Sequence, residues 1–436
     1  MNFIQMRSSK VESFTQLISI VHSEMNTLKV LCPSFNHICR FILLTFRCIG
    51  LIPFNVECIN FELQFKCRRK QFCYKWILLT LSVCSAEILI ALIFRERVFF
   101  TYYAVGLIND MLKYVGEIIA VYATLMEVFA RRKDHIQIYD SLITSDLSNL
   151  NGNFHSASEY RQFFQQFSIK YSVYFGIILF IEFLVFFRIS NTSQQWRNVW
   201  LINFPIVLFI SMRVLYYIFS VDLVKSKLAS VRIQVQNAYE TMKWVKTYNS
   251  KSKEYKATID KVSNSLIFLK QCYGEIWSIH FNLNNTSGWS ICFVIISCFV
   301  QFSNHLYWLY LTFHEKTIDG YIETLLCLCE CPLTIFIILY STESCMEVSH
   351  NIGTLLHEIP KRSEKRLYHI IYRFSSHMTH QPIRFVSHSL FDINFKLIKM
   401  LLTGVATYMF IFIPFTADVP EVEEFITTAP KNYLLE

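Results

Sequence analysis

Charge is scarce in this chain. Of its 436 residues only 17% are Asp, Glu, Lys or Arg, where soluble domains carry about 25%. The shortfall excludes an ordinary soluble enzyme and a disordered chain. Glycine is scarce as well. There are 10, about 2% against a usual ~7%. Transport folds built on broken helices place glycine and proline inside their spans, so a transporter is disfavoured, and no internal repeat is visible. The sequence has no G-x-x-x-x-G-K-S/T, no H-E-x-x-H and no G-x-S-x-G, so nothing points to catalysis or to a cofactor. Residues 1–30 lack the unbroken apolar core and small-residue cleavage site of a signal peptide. The first span is therefore expected to do its own targeting.

What is abundant is apolar surface. The set AVILMFWYC makes up 53% of the chain, with 40 Phe and 23 Tyr, and the mean hydropathy is +0.33. The expected class is an all-α, multi-pass membrane protein. Seven stretches are apolar enough to cross, at about 75–94, 105–129, 171–190, 199–222, 288–312, 323–345 and 395–415. Helices are required because each backbone amide must be satisfied within its own segment. Residues 41–54 are apolar but short and interrupted by Arg47. They read as a membrane-flanking helix ended near Gly50 and Pro53. The organisation expected is a cytoplasmic segment 1–74, a seven-helix domain 75–415 and a short outer tail 416–436.

Orientation follows from Lys and Arg. With the N-terminus inside, the inner segments 1–74, 130–170, 223–287 and 346–394 hold 30 basic residues. The outer segments 95–104, 191–198, 313–322 and 416–436 hold five. The tail carries Asp418, Glu421, Glu423 and Glu424. The N-terminus is thus expected to be cytoplasmic and the C-terminus extracellular, opposite to a G-protein-coupled receptor. Asn191 opens a glycosylation sequon in an outer loop, whereas Asn284 and Asn285 open sequons on the inner side. None of the 14 cysteines lies in an outer segment, so no structural disulfide is expected. The DRY-type triplet and NPxxY of rhodopsin-like receptors are missing too.

The inner segments carry helical order. Leu228, Val231, Val235, Ala238, Met242 and Val245 recur every three or four residues, and Val262, Leu266, Leu269, Tyr273 and Ile276 do so after a polar break. This predicts a helical hairpin over 223–287. Residues 361–379 read as a further helix, with Leu367, Ile370, Ile371 and Phe374 on one face, ended by Pro382. These helices either pack within one chain or form a cytosolic anchor between subunits.

Ionisable groups interrupt the spans. Asp110, Lys113 and Glu117 share one face of the second span. They form either a self-neutralising ladder or the polar wall of an outward-opening cavity. Glu87, Glu182, Arg213 and Glu330 are isolated in sequence and each is expected to be paired or near an interface. In Cys327-x-Cys329-x-Cys331, alternate helical residues diverge by about 200°, so structural packing is expected rather than a metal site. His377, His380 and His388 are separated by Pro382, and no metal is assigned to them. Tyr102, Tyr103, Trp196, Trp200, Asn203, Asn304, Trp308 and Tyr310 gather near outer span ends. They read as an interfacial aromatic belt or as a small-molecule pocket. The pocket candidates are Tyr103, Asp110, Trp200, Asn203, Asn304 and Trp308.

The last span carries a resemblance. Thr407-Tyr408-Met409-Phe410-Ile411-Phe412-Ile413-Pro414-Phe415 resembles the signature of insect gustatory receptors: Thr-Tyr, five hydrophobic residues, Gln-Phe. Gly50-Leu51-Ile52-Pro53-Phe54 is similar to the element before the first span of that family. The resemblance implies a ligand-gated, cation-selective channel of four like or related subunits in the plasma membrane of a sensory neuron dendrite. Each subunit would carry an outward-opening pocket for a small-molecule tastant, and the seventh helices would line the pore. Thr407, Tyr408, Ile411, Pro414 and Phe415 are then the pore and gate residues. Pro414 stands where the family has glutamine, offering no amide and removing the N–H that would bond the Phe410 carbonyl. Ile411 is expected to form a hydrophobic constriction closed by dewetting. Trp200 to Asp222 looks somewhat like the divergent, bitter-responsive branch rather than the sugar branch. The alternatives are an odorant-receptor-like channel subunit or, from another class, a G-protein-coupled receptor.

Overall fold

The computed structural model describes residues 42, 44–52, 55–59, 62–66, 72–93, 104–144, 157–189, 194–245, 253–314, 321–360 and 365–414. Tyr103, Asn191, Phe415 and the tail 416–436 lie outside them. The helices are α1 (Phe72–Ile93), α2 (Ala104–Ala130), α3 (Arg132–Thr144), α4 (Ala157–Ile189), α5 (Gln194–Val245), α6 (Lys253–His314), α7 (Tyr321–Glu358), α8 (Lys365–His380) and α9 (Lys396–Phe412). Each of the seven apolar stretches falls on a helix: α1, α2, α4, α5, α6, α7 and α9. Four helices contain segments long and apolar enough to cross a membrane: Gln165–Arg188, Trp200–Val245, Lys253–Phe313 and Thr324–Glu358. In α1 the apolar run Ile77–Ile90 is shorter, α2 carries charges, and α9 has 17 residues.

The length of α5 and α6 decides the architecture. They hold 52 and 62 residues, roughly 78 and 93 Å at 1.5 Å per residue. A bilayer core takes about 20 residues, so each helix runs far past any span. The surplus is the pair of apolar seams. Leu228, Val231, Val235, Leu266, Leu269 and Tyr273 are each fully buried. α8 closes on α6 with Leu367, Ile371 and Phe374. The Tyr273 hydroxyl lies 3.2 Å from Ser349 Oγ and donates to the Gln381 carbonyl at 3.1 Å, tying α6, α7 and the end of α8 together.

The segment before α1 is packed more deeply than a membrane-flanking helix requires. Phe46 and Leu51 are fully buried, and Phe46 meets Tyr216 edge-on at 5.5 Å. The helical turn ends where the sequence indicated. Gly50 has φ 84°, its N–H bonds Arg47 O at 2.9 Å, and Leu51 N–H bonds Phe46 O at 2.9 Å. That pair of bonds closes a Schellman cap, which needs the left-handed glycine.

Two small antiparallel hairpins amend the all-α expectation. β1 (Asn55–Ile59) pairs with β2 (Glu62–Lys66). β3 (Val386–Ser387) pairs with β4 (Phe391–Asp392) between α8 and α9. The β3–β4 turn has positive φ at His388 (41°) and Ser389 (61°), closed by Leu390 N–H to Ser387 O at 2.8 Å. This primed turn usually takes Asn-Gly. Here a histidine holds it, its ring stacked on Trp289 at 4.7 Å.

Candidate ligand and pore site

The polar face of α2 reaches across to α6 rather than along itself. Asp110 Oδ1 accepts from Trp308 Nε1 at 2.9 Å and from Asn304 Nδ2 at 3.2 Å. Lys113 Nζ lies 3.4 Å from His305 Nε2. The fully buried Glu117 accepts from Gln301 Nε2. One turn of α2 therefore meets one turn of α6 at each step. Among the described residues no ion pair joins Asp110, Lys113 and Glu117. Of the pocket candidates, the fold brings Asp110, Asn304 and Trp308 into one cluster. Trp200 sits elsewhere: its indole donates to Glu182 Oε2 at 2.7 Å and stacks on Phe204 and Phe186. Asn203 is half-buried on α5 and makes no hydrogen bond to the others among the described residues.

Gln301 and Glu330 belong to this region and were not proposed as pocket residues. Gln301 accepts from Cys331 Sγ at 3.1 Å. With Glu330, Ser211 and Thr334 it lines a cavity of about 10 Å³ between α5, α6 and α7. Gln301 meets Glu117 across 184 residues, so spacing along the chain carries no signal of the contact. Of the three C-x-C-x-C thiols, Cys331 is buried, Cys327 half-buried and Cys329 exposed. Among the described residues no three His, Cys, Asp or Glu side chains come together as a metal site. Nine cysteines whose side chains are described form no disulfide.

The last helix, α9, is seated by the tyrosine of its Thr-Tyr motif. Tyr408 donates to Asn109 Oδ1 on α2 and stacks on Phe412 at 4.2 Å. Phe412 meets Tyr307 edge-on at 6.3 Å. Thr407 caps back onto Thr403 O at 2.9 Å. Only Leu397 and Val405 of α9 are fully packed. Ile411 is 52% exposed and Phe410 81%, and Pro414 is exposed at the helix end. Glycine admits the close crossing behind it, because a Cβ at Gly404 would stand 3.0 Å from the Phe299 ring.

A charged junction joins the polar half of the molecule to the apolar half. Glu127 of α2 accepts from the backbone N–H groups of Trp289 (3.2 Å) and Ser290 (2.9 Å) on α6. Arg131 donates to Asn285 O, and Ser387 Oγ of β3 donates to Gly288 O at 2.9 Å. Arg213, expected to be paired, is fully buried 3.8 Å from Glu127 and donates to Ser290 Oγ. A Cβ at Gly288 would stand 2.6 Å from His388, so glycine is required there. Asn284 and Asn285 are part of this joint, Asn284 donating to Arg384 O at 2.7 Å. Burial holds two nearby imidazoles neutral. His135 is pushed down to about 3, first by desolvation and then by Arg213 and Arg131. His280 is pushed down to about 4 by desolvation, opposed by a hydrogen bond to the Arg384 backbone.

A family model described as 7tm chemosensory receptor matches residues 39–416. The chain belongs to that family. This receptor is 21% identical over 240 residues to gustatory receptor 23a of Drosophila melanogaster, covering 54% of this chain and 63% of that protein. The aligned part is thus less than two thirds of that relative. The fold is that of the insect olfactory receptor OR5 from Machilis hrabei, with a TM-score of 0.61 and 10% identity over 87% of this receptor and 98% of that chain. The same protein in complex with eugenol matches with a TM-score of 0.59 and 10% identity, covering 87% of this receptor and 99% of that chain.

Proposed function

We propose that this receptor is a subunit of a ligand-gated, cation-selective channel that detects small-molecule tastants, of the bitter rather than the sugar type. The observation that carries the reading is the seating of α9. Tyr408 clamps one side of the helix to α2, while Met400, Leu402, Phe410 and Ile411 stay exposed. A helix held on one side with an apolar face bare suits a pore wall shared by four chains, of the same or of related sequence. Seven spans, a cytoplasmic N-terminus and an extracellular C-terminus complete the topology, supported by the placement of Lys and Arg. On this reading 1–74 is cytoplasmic, 75–415 is the receptor-channel domain, and 416–436 and Asn191 face outward in the plasma membrane. Thr407, Tyr408, Ile411, Pro414 and Phe415 belong to the pore and gate. The pocket draws on Asp110, Asn304 and Trp308, with Tyr103, Trp200 and Asn203 kept as further candidates from the sequence.

Gating follows from differential binding. A ligand that stabilises the open state more than the closed one shifts the population toward opening. Asp110 links the α2–α6 seam to Trp308, and its neighbour Asn109 holds Tyr408. Movement of α2 against α6 is thereby passed to the last helix.

The test is whole-cell current from the chain expressed alone, against bitter compounds and sugars, beside Pro414→Gln. A ligand-evoked cation current supports the reading. Silence in the unmodified chain with current in Pro414→Gln makes the proline the block. A C-terminal tag should stain on intact cells; a hidden tag would support G-protein-coupled topology instead.

A further inference from the structure

The cavity between α5, α6 and α7 has a chemistry of its own. At about 10 Å³ it holds one water or one ion of similar size, too little for an organic ligand. Its polar lining is Ser211, Gln301, Glu330 and Thr334, backed by Cys298 and Cys331. Tyr174 OH, 3.0 Å from Thr334 Oγ1, fixes that hydroxyl. Gln301 is fixed at both ends: its amide N–H donates to Glu117 and its oxygen accepts from Cys331. Glu330 has no hydrogen bond and no ion pair among the described residues. Glu117, fully buried next to the lining, leaves Oε2 without a partner.

The local charge does not balance. Asp110, Glu117, Glu182 and Glu330 face one cation, Lys113, which lies within electrostatic reach of Asp110 and Glu117. Glu330 feels the repulsion of Glu182 and Glu117 against the single attraction of Lys113. An uncompensated carboxylate inside a bundle at membrane depth is costly. A proton could compensate it, yet a neutral carboxyl would donate its O–H, and among the described residues none accepts from Glu330. A cation in the cavity offsets the Glu330 charge and is met by oxygen-bearing residues of the lining.

We propose that this cavity binds a sodium ion, coordinated by the Glu330 carboxylate, the Gln301 amide oxygen and the hydroxyl oxygens of Ser211 and Thr334. The donors are hard oxygens, which select alkali and alkaline-earth cations over thiophilic metals. One carboxylate with neutral oxygens matches a single positive charge. Calcium takes six to eight oxygens, more than the cavity presents. The ion joins α5, α6 and α7 at one point, so it stabilises the state in which these helices are closed.

The experiment compares thermal melting of the purified full-length receptor in sodium chloride and in choline chloride at equal ionic strength. Sodium should raise the midpoint by roughly 2–4 °C, and Glu330→Gln should lose the rise. Ser211→Ala, which deletes a single oxygen, should raise the sodium concentration for half the effect several-fold, and it decides the matter should Glu330→Gln fail to fold. Glu240→Gln, a remote exposed carboxylate on α5, should keep the full shift. Equal melting in both salts would overturn the proposal. So would an unchanged sodium effect in the Glu330 and Ser211 variants, which would make the occupant a water. Neither readout depends on channel current, so the channel reading can fail independently.

Discussion

Along α6 the side chains that meet the rest of the molecule change character near Gly288. From Lys253 to Ile279 the buried seam is mainly apolar or aromatic: Val262, Leu266, Leu269, Tyr273 and Ile276. From Trp289 to His314 the contacts with α2 are polar: Ser290, Gln301, Asn304, His305 and Trp308. The first half suits water, where apolar burial drives association. The second suits lipid, where apolar surface gains little by leaving its surroundings and polar contacts supply specificity. One helix thus carries two packing chemistries, and at its joint Glu127 and Ser387 hold its backbone while Arg213 holds the Ser290 hydroxyl.

Four substitutions and a titration break or sharpen that contrast. The largest loss is expected at the joint. Glu127→Ala leaves Arg213 buried without its carboxylate and should cost about 3–5 kcal/mol, read as a fall in melting temperature of the purified receptor. Leu269→Ala, in the apolar half, should cost about 2–5 kcal/mol through lost burial and a cavity, with ligand sensitivity unchanged once the protein is folded. A ligand-sensitivity change equal to that of Asp110→Asn would erase the distinction between the halves. Tyr408→Phe removes only the bond to Asn109 and should cost about 0.5–1.5 kcal/mol. Its larger effect should be electrical, as altered basal current. Arg366→Ala deletes an exposed pair with Asp260, both side chains 58% exposed, and should move melting least, by about 1 kcal/mol or less.

Acid should weaken the joint and the apolar half. His280 is held down to about 4 and His135 to about 3. Both are neutral when folded, whereas the unfolded chain binds protons near pH 6.5. Stability is therefore full above that value and falls as pH drops from about 6.5 toward 4. His280→Gln should flatten the melting-against-pH curve over this window. An unchanged curve would remove His280 from the account.

Much of the scaffold was legible in the chain. Repeats of three and four residues placed the seams of α5 and α6 and the buried face of α8, because side chains that spacing apart must share one side of a helix. Gly50 marked its cap because few residues adopt positive φ at low cost. The site was legible only in part. Asp110, Asn304 and Trp308 were named as candidates, yet the bond from Trp308 joins groups 198 residues apart, and no local pattern encodes that pairing. Glu330 and Gln301 were passed over as pocket residues because an isolated polar residue in a span looks the same wherever it points. The β3–β4 hairpin was missed since His388-Ser389 is not a turn sequence that prefers positive φ.

The sequence by itself determined that the chain is helical and apolar, where its helices lie and which faces are greasy. Those properties follow from composition and short-range periodicity. Only the tertiary structure decided the partners: Asp110 with Trp308, Tyr408 with Asn109, Glu127 with the α6 backbone and Phe46 with Tyr216. Each pairing depends on the rotation and register of one helix against another, and those are settled by packing all the helices at once.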